Sequence, residues 1–443
     1  MPAPATIYKH IYKLPPGHIL VADRTSVRVS QYWDLEFTGT GDAGNEERYL
    51  EELDALLTES VRMRLISEVP LGAFLSGGID SATVVAYMTE TSDSTVHASS
   101  VGFADTEFNE LDKATRIARH LGCELDKKMV SPDVEALLPR LAWHLDEPFG
   151  DSSAVPTYLV SGAARERVTV ALSGDGGDEL WAGYPWHRVE QKEWQARERL
   201  GRAGCSLAAG LGHLLPLGVK GARSLRHLGL PPDQACVRKH GYQQFDQNGK
   251  SLLYSQDLSH AVRGADPFAP FQRAYAACQS PDPLDRSMYV DVKTYLPDDI
   301  LTKVDKMSMA VSLEARVPLL DHKLLEFAAR VPTSLKLRGG TSKYLLRRAL
   351  ERRVPRELFT GPKHGFTAPI ARWLRGPLKP LATELLFDGQ LADRGIFQES
   401  GVTQLWNKHQ QGHRDHRHRL WSLVMLELWF RGFVDRGRRA VAA

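Results

Sequence analysis

The 443 residues are enough for two or more domains and a sizeable core. Charged residues make up 25% and hydrophobic ones 42%, an ordinary globular balance, and a net charge of +2 supplies no field for nucleic acid or a membrane surface. Four scattered cysteines without a CxxC pair argue against a disulfide framework or a zinc site, and no run approaches the roughly 18 apolar residues of a membrane span, so a reducing, cytoplasmic setting is expected.

In chain order, residues 1–37 read as short extended pieces around the turn Pro15-Pro16-Gly17, closing on Tyr32-Trp33. A polar linker, residues 38–46, follows. Its GTGDAG tract matches GxGxxG but lacks a strand-turn-helix context, so no nucleotide role is assigned to it. Leu50, Leu53, Leu56, Leu57 and Val61 fall at helical spacing within 47–66. Strands are then predicted ending at Leu75 and over 96–103, 123–130 and 168–174, alternating with helices from 82, over 107–121 and over 133–145. Such alternation predicts an α/β fold with a parallel sheet covered on both faces and ligands at the carboxyl ends of its strands. Beyond residue 185 the pattern turns helical. It is weak over 190–285 and stronger over 286–443.

Two glycine-rich breaks fall at strand ends. In FLSGGIDSA, residues 74–82, a strand stops at Ser76-Gly77-Gly78 and a helix begins near Asp80 and Ser81. The first N–H groups of a helix lack intrahelical partners and favour an anion, glycines admit a phosphate closely, and the two serines add hydroxyls. Asp80 would repel that anion unless a divalent cation lay between them, which suggests Mg²⁺. The second break, SGDGGDELWAGY over 173–184, holds Asp175, Asp178 and Glu179. Across a sheet edge from Asp80, Asp178 would complete a two-carboxylate site for a nucleotide phosphate, leaving Asp175 for acid-base work. In GGTSKYLLRRAL (339–350), Lys343 and Arg347 stand i, i+4 on one helical face as candidate cations. The GKS at 249–251 has Gln244 where a Walker A loop needs glycine, so it is set aside. The histidines at 409, 413, 416 and 418 alternate with arginines and read as a basic surface rather than a metal site.

SGGIDS at 76–81 resembles the pyrophosphate loop of N-type ATP pyrophosphatases. Together with SGDGGDELWAGY, DEPFGDSSAVPTY (146–158), DKMSMAVSLEARVPLLD (305–321) and SKYLLR (342–347), it resembles the synthetase domain of glutamine-dependent asparagine synthetases. The resemblance implies an adenine nucleotide alpha-hydrolase-like sheet followed by a mainly helical C-terminal region. The implied units are an α/β core over 47–185, a variable helical segment over 186–285 and a helical part over 286–443 completing the site. It implies ATP as substrate, with Ser76, Gly77, Gly78 and Ser81 on pyrophosphate, and Leu75, Val101, Ser173 and Gly174 along the adenosine and α-phosphate. Asp80 and Asp178 inherit Mg²⁺, Lys343 the stabilisation of developing charge, and Asp175 the deprotonation of the attacking amine, where such enzymes commonly carry the longer Glu. Glu314, in EARVP, is implied to orient that acid-base group. Residues 1–46 resemble the tail of a glutaminase domain, whose N-terminal cysteine has no counterpart beside Met1 and Pro2. The expected reaction joins ammonia, free or from a separate glutaminase, to aspartate. Other carboxylates, as in β-lactam and macrolactam synthetases or amidotransferases of secondary or polysaccharide metabolism, stay open as acceptors. A non-catalytic homologue is disfavoured by the intact Asp80, Asp178 and Lys343.

Overall fold

The computed structural model describes residues 1–38, 41, 43–103, 111–130, 132–216, 219–239, 245, 247–361 and 368–435. Residues 39, 40 and 42 of the GTGDAG tract, Gln244 and the first turn expected from 107 lie outside this set.

An exposed antiparallel hairpin, β1 (His18–Ala22) and β2 (Val27–Gln31), opens the chain, its turn held by Asp23 accepting from the backbone and hydroxyls of Thr25 and Ser26. Leu35 and Phe37 then bury against Leu284, Met288 and Leu337, so this stretch is packed into the body rather than trailing from it. The helix α1 (Glu46–Arg64) buries Leu50, Leu53, Leu57 and Val61, the stripe that its spacing predicts.

Next comes a run of strands and helices: β3 (Leu71–Phe74), α2 (Ile79–Thr91), β4 (His97–Phe103), α3 (Leu111–Leu121), β5 (Glu124–Val130), α4 (Val134–Leu145), α5 (Ala154–Arg165), β6 (Val170–Leu172) and the single turn α6 (Gly177–Leu180). The strands form one sheet in the order β5-β4-β3-β6-β7, where β7 is Glu314–Arg316, and every pairing is parallel. From β3 the chain steps outward one way through β4 to β5, then returns to the other side of β3 with β6. The strand order therefore reverses between β3 and β6, the place where a sheet of this kind opens a crevice at its carboxyl edge. The register Leu71↔Val170 and Ala73↔Leu172 sets the two glycine loops side by side at that crevice.

Residue 185 begins α7 (Pro185–Leu214), a long helix interrupted at Gly201, whose φ of 60° is non-helical. Helices also dominate the rest of the chain. The two most populous apolar clusters among the described residues lie around β3, α1, α2 and the helices between 324 and 359, and between α4 and residues 368–428. The four cysteines are free, and among the described residues no helix is long and apolar enough to cross a membrane.

Candidate active site

Leu75 continues β3, donating its N–H to the Ser99 carbonyl oxygen at 3.0 Å, and is fully buried. Beyond it the chain turns through Ser76-Gly77-Gly78 into α2, and the Ser81 hydroxyl folds back over the turn. That hydroxyl lies 3.1 Å from the Ser76 Oγ, accepts the Ser76 N–H at 3.2 Å and donates to the Gly78 carbonyl at 3.3 Å. The serines thus shape the loop before any ligand arrives. Val101, buried on β4 two residues past Ser99, packs with Val160 and Ala163 as an apolar wall beside Phe74.

From the neighbouring strand end, Ser173 donates its N–H to the Arg316 carbonyl oxygen at 2.8 Å, and its hydroxyl holds the Asp175 carboxylate at 2.5 Å. Burial pushes the Asp175 carboxyl up from its ordinary value, and the Ser173 hydrogen bond opposes that rise only in part. A single turn later, Gly177 brings α6 against the first loop. A Cβ at Gly177 would stand 2.2 Å from Asp80 Oδ1, so only glycine lets α6 pass this close.

Lys343 joins the two loops. The hairpin Leu337–Arg338 and Thr341–Ser342 delivers it with φ of 55°, and its N–H donates to the Trp181 carbonyl at 2.8 Å. Only 3% exposed, its ammonium pairs with Asp80 and lies 2.8 Å from Asp178 Oδ1. Burial alone would lower the Lys343 pKa, but the charges of Asp178 and then Asp80 outweigh it and hold the pKa above the usual lysine range. Both carboxylates therefore already face a cation between them. That donor set of hard carboxylate oxygens fits Mg²⁺ once a nucleotide supplies further oxygens. Among the described residues no group of three or more His, Cys, Asp or Glu side chains could hold a metal by itself.

The structure does not bring Glu314 into this group. It sits at the start of β7 opposite Val170, the amino end of the sheet, exposed and paired with its own strand neighbour Arg316 at 2.6 Å. A three-residue strand carries the chain only about 10 Å, and the crevice lies at its other end. A second polar group is one that the sequence reading passed over. Lys303 Nζ donates to Asp151 Oδ2 at 2.8 Å and to the Ser153 hydroxyl at 2.7 Å, and its charge reaches Asp175. Asp299, one helical turn before Lys303, has its carboxyl pushed up to about 8 by burial and then by the charge of Asp151. The spacing of Asp299 and Lys303 was the available signal. Of the histidines near the C-terminus, His409 is buried and its Nδ1 accepts the His416 N–H at 3.2 Å, so this part of the expected basic surface faces inward.

The asparagine synthase family profile matches residues 52–431. The chain belongs to the asparagine synthase family. It is 33% identical over 434 residues to the protein named asparagine synthetase [glutamine-hydrolyzing] 1 of Bacillus subtilis, covering 97% of this chain and 66% of that relative. It is 34% identical over 449 residues to a putative asparagine synthetase [glutamine-hydrolyzing] of Mycobacterium tuberculosis, covering 98% and 66%. A protein of Penicillium rubens named as an amidase is 27% identical over 419 residues, covering 84% and 61%. The chain spans about two thirds of the length of the asparagine synthetases it matches over most of its length. The family agrees with the parallel sheet and its flanking helices described above.

Proposed function

We propose that this chain makes an amide by ATP-dependent activation of a carboxylate, with aspartate as acceptor and asparagine, AMP and pyrophosphate as products. The observation that carries the proposal is the convergence of Asp80 and Asp178 on Lys343 where two glycine loops meet at the reversal of the strand order.

A carboxylate is a poor acyl donor, so its oxygen first attacks the α-phosphorus, forming an acyl-adenylate and releasing pyrophosphate. In our reading Ser76, Gly77, Gly78 and Ser81 hold the leaving phosphates, and Leu75, Val101, Ser173 and Gly174 line the adenosine and α-phosphate. Asp80 and Asp178 would hold Mg²⁺, which when bound polarises phosphoryl oxygens and neutralises their charge. Lys343 donates to the leaving oxygens as charge builds on them, a contribution that is large because the ammonium is fixed and shielded from water. Ammonia then attacks the acyl carbon. Asp175, as a carboxylate made more basic by the burial that raises its pKa, accepts the proton that the attacking nitrogen sheds. A reducing cytoplasmic setting suits the four free thiols.

A second reading keeps the adenylation and changes the acceptor, and the relatives named as amidases favour it. The test is aspartate-dependent formation of AMP and pyrophosphate by the purified chain with Mg-ATP, comparing ammonium chloride with glutamine. Product with ammonium alone supports an ammonia-using synthetase or one served by a separate glutaminase. Absence of AMP with aspartate from either source, alongside AMP formation with another carboxylate, moves the acceptor elsewhere.

A further inference from the structure

Lys343 meets Asp80 and Asp178 in a backbone conformation that is costly for its residue type. Its φ of 55° lies in the left-handed region, which a residue other than glycine holds only where its surroundings over-determine it. The N–H bond to the Trp181 carbonyl is one restraint, and the Arg347 Nε, donating to the Ser342 carbonyl oxygen at 2.8 Å, is another. The hairpin that leads into Lys343 supplies little by itself. It pairs Leu337 with Ser342 and Arg338 with Thr341, and a Cβ at either glycine of its tip, Gly339 or Gly340, would meet no atom within 4 Å. A ribbon this short does not hold its shape alone.

A carboxylate from another element closes it. Glu46, in the first turn of α1, accepts from Arg338 Nη1 at 2.6 Å through Oε2 and from the Tyr344 hydroxyl at 3.0 Å through Oε1. Arg338 also donates to that hydroxyl at 2.8 Å, its guanidinium lies 4.2 Å from the centroid of the Tyr344 ring, and Arg348 Nε approaches Glu46 Oε1 at 3.5 Å. Arg338 stands on the first strand of the hairpin, and Tyr344 directly follows Lys343. One side chain therefore grips the lysine's segment on both sides.

These contacts are too open to be read as stability. With side chains 26% and 39% exposed, Glu46 and Arg338 remain in reach of water, where an ion pair contributes little to folding. Glu47 provides the comparison. It shares the first turn of α1, favours the helix N-terminus in the same way, and pairs with Arg352 at the far end of the helix Tyr344–Glu351. Of the two acids, Glu46 is the one bonded to the hairpin.

Resting on the reading of Lys343 as donor to developing charge, we infer that Glu46 is a positioning residue: by bridging Arg338 and Tyr344 it fixes the left-handed turn that aims the Lys343 ammonium. An error of about 1 Å in such a group costs up to about 10²-fold in rate, so a weak surface tie has a large catalytic effect.

The experiment measures pyrophosphate release, and access of a reagent to Lys343, in the wild-type chain, Glu46→Ala, Glu46→Gln and Glu47→Ala. Glu46→Ala is expected to lower kcat by about tenfold with KM for Mg-ATP within about twofold, since the lysine is needed most as charge develops. Glu46→Gln keeps one acceptor and recovers part of the loss. Glu47→Ala holds both constants within about twofold, as expected of an exposed pair. In the Lys343→Ala background Glu46→Ala costs nothing further, because the group it aims is gone. Labelling with acetic anhydride, followed peptide by peptide in a mass spectrometer, reads the geometry without turnover: Lys343, 3% exposed, is protected in the wild type and in Glu47→Ala, and reacts faster in Glu46→Ala. Unchanged kcat and unchanged protection of Lys343 in Glu46→Ala would overturn the inference, and an equal loss of kcat with or without Lys343 would make Glu46 a structural residue. A wild-type chain that releases no pyrophosphate with any carboxylate removes the reading of Lys343 as donor, and the labelling contrast then still decides whether Glu46 holds the lysine in place.

Discussion

Replacing Lys343 with alanine removes the ammonium that pairs with both Asp80 and Asp178. Turnover is expected to fall by roughly 10²–10³, the usual loss for one fixed donor to developing charge, with circular dichroism unchanged. Arginine is not expected to restore it. The lysine stem runs against Gly183 so closely that a Cβ there would stand 2.2 Å from Lys343 Cε, and the broader guanidinium has no such channel. Turnover near wild type in Lys343→Ala, measured as pyrophosphate release, would remove the residue from the mechanism. At this scale the sequence was most informative where chemistry is unusual: an aspartate inside a phosphate loop demands a reason, and so Asp80 stood out. Lys303 gave no such signal, because a lysine on a polar helix is ordinarily solvated, and its burial between Asp151 and Ser153 is created by chain segments 150 residues apart.

Elements were legible in proportion to how apolar their buried faces are. The run from Ala82 to Met88 reads as a helix hidden on most sides, and all seven of its residues are buried in α2. β7 is only Glu-Ala-Arg, too short and too polar to carry a period, so the fifth strand was invisible. The long helix α7 hid for another reason: its buried positions include Glu190 and Glu193, which clamp the buried Lys239, so the inward face is ionic rather than apolar. How elements hold the site can be tested at Tyr87. Its hydroxyl, on α2, donates to Asp54 Oδ1 of α1 at 2.7 Å, while Arg353, just past the helix that follows Lys343, lies over the Tyr87 ring at 3.8 Å and pairs with the same Asp54. Tyr87→Phe keeps the ring and deletes two part-buried hydrogen bonds, the one donated to Asp54 and the one accepted from Arg353 at 3.1 Å. A loss of about 1–2 kcal/mol is expected in urea unfolding, with an unchanged slope, and a variant as stable as wild type would show that Arg353 satisfies Asp54 alone.

Across the whole molecule, opposing sets of buried carboxyls set the pH dependence of stability. Asp34 and Asp54, buried in part, tie the N-terminal segment and α1 to the later helices, and the hydrogen bonds and charge of Lys293 and of Arg353 overcome desolvation to hold them below the usual range. Their contribution is present above the unfolded value near 3.9 and is lost as pH falls through the lower folded one. Glu179 acts in the other direction. Burial and then the charge of Asp178 push it up to about 8, although Tyr184 donates to its Oε1 at 2.6 Å. A raised carboxyl binds its proton more tightly folded than unfolded, so its contribution is complete below the unfolded value near 4.3 and disappears as pH rises toward 8. Asp299, also near 8, adds a second group of the same sign. Asp175 and Asp285, raised by burial, act in the same sense, so stability should peak in mildly acid solution and decline toward pH 8. Glu179→Gln, neutral at every pH, should make that decline shallower while leaving the acid side in place. Chemical denaturation of both proteins at steps from pH 4 to 9 measures it, and an alkaline slope identical in the two would mean that Glu179 is ionised in the folded chain, with its charge absorbed by a partner at the site rather than expelled by it.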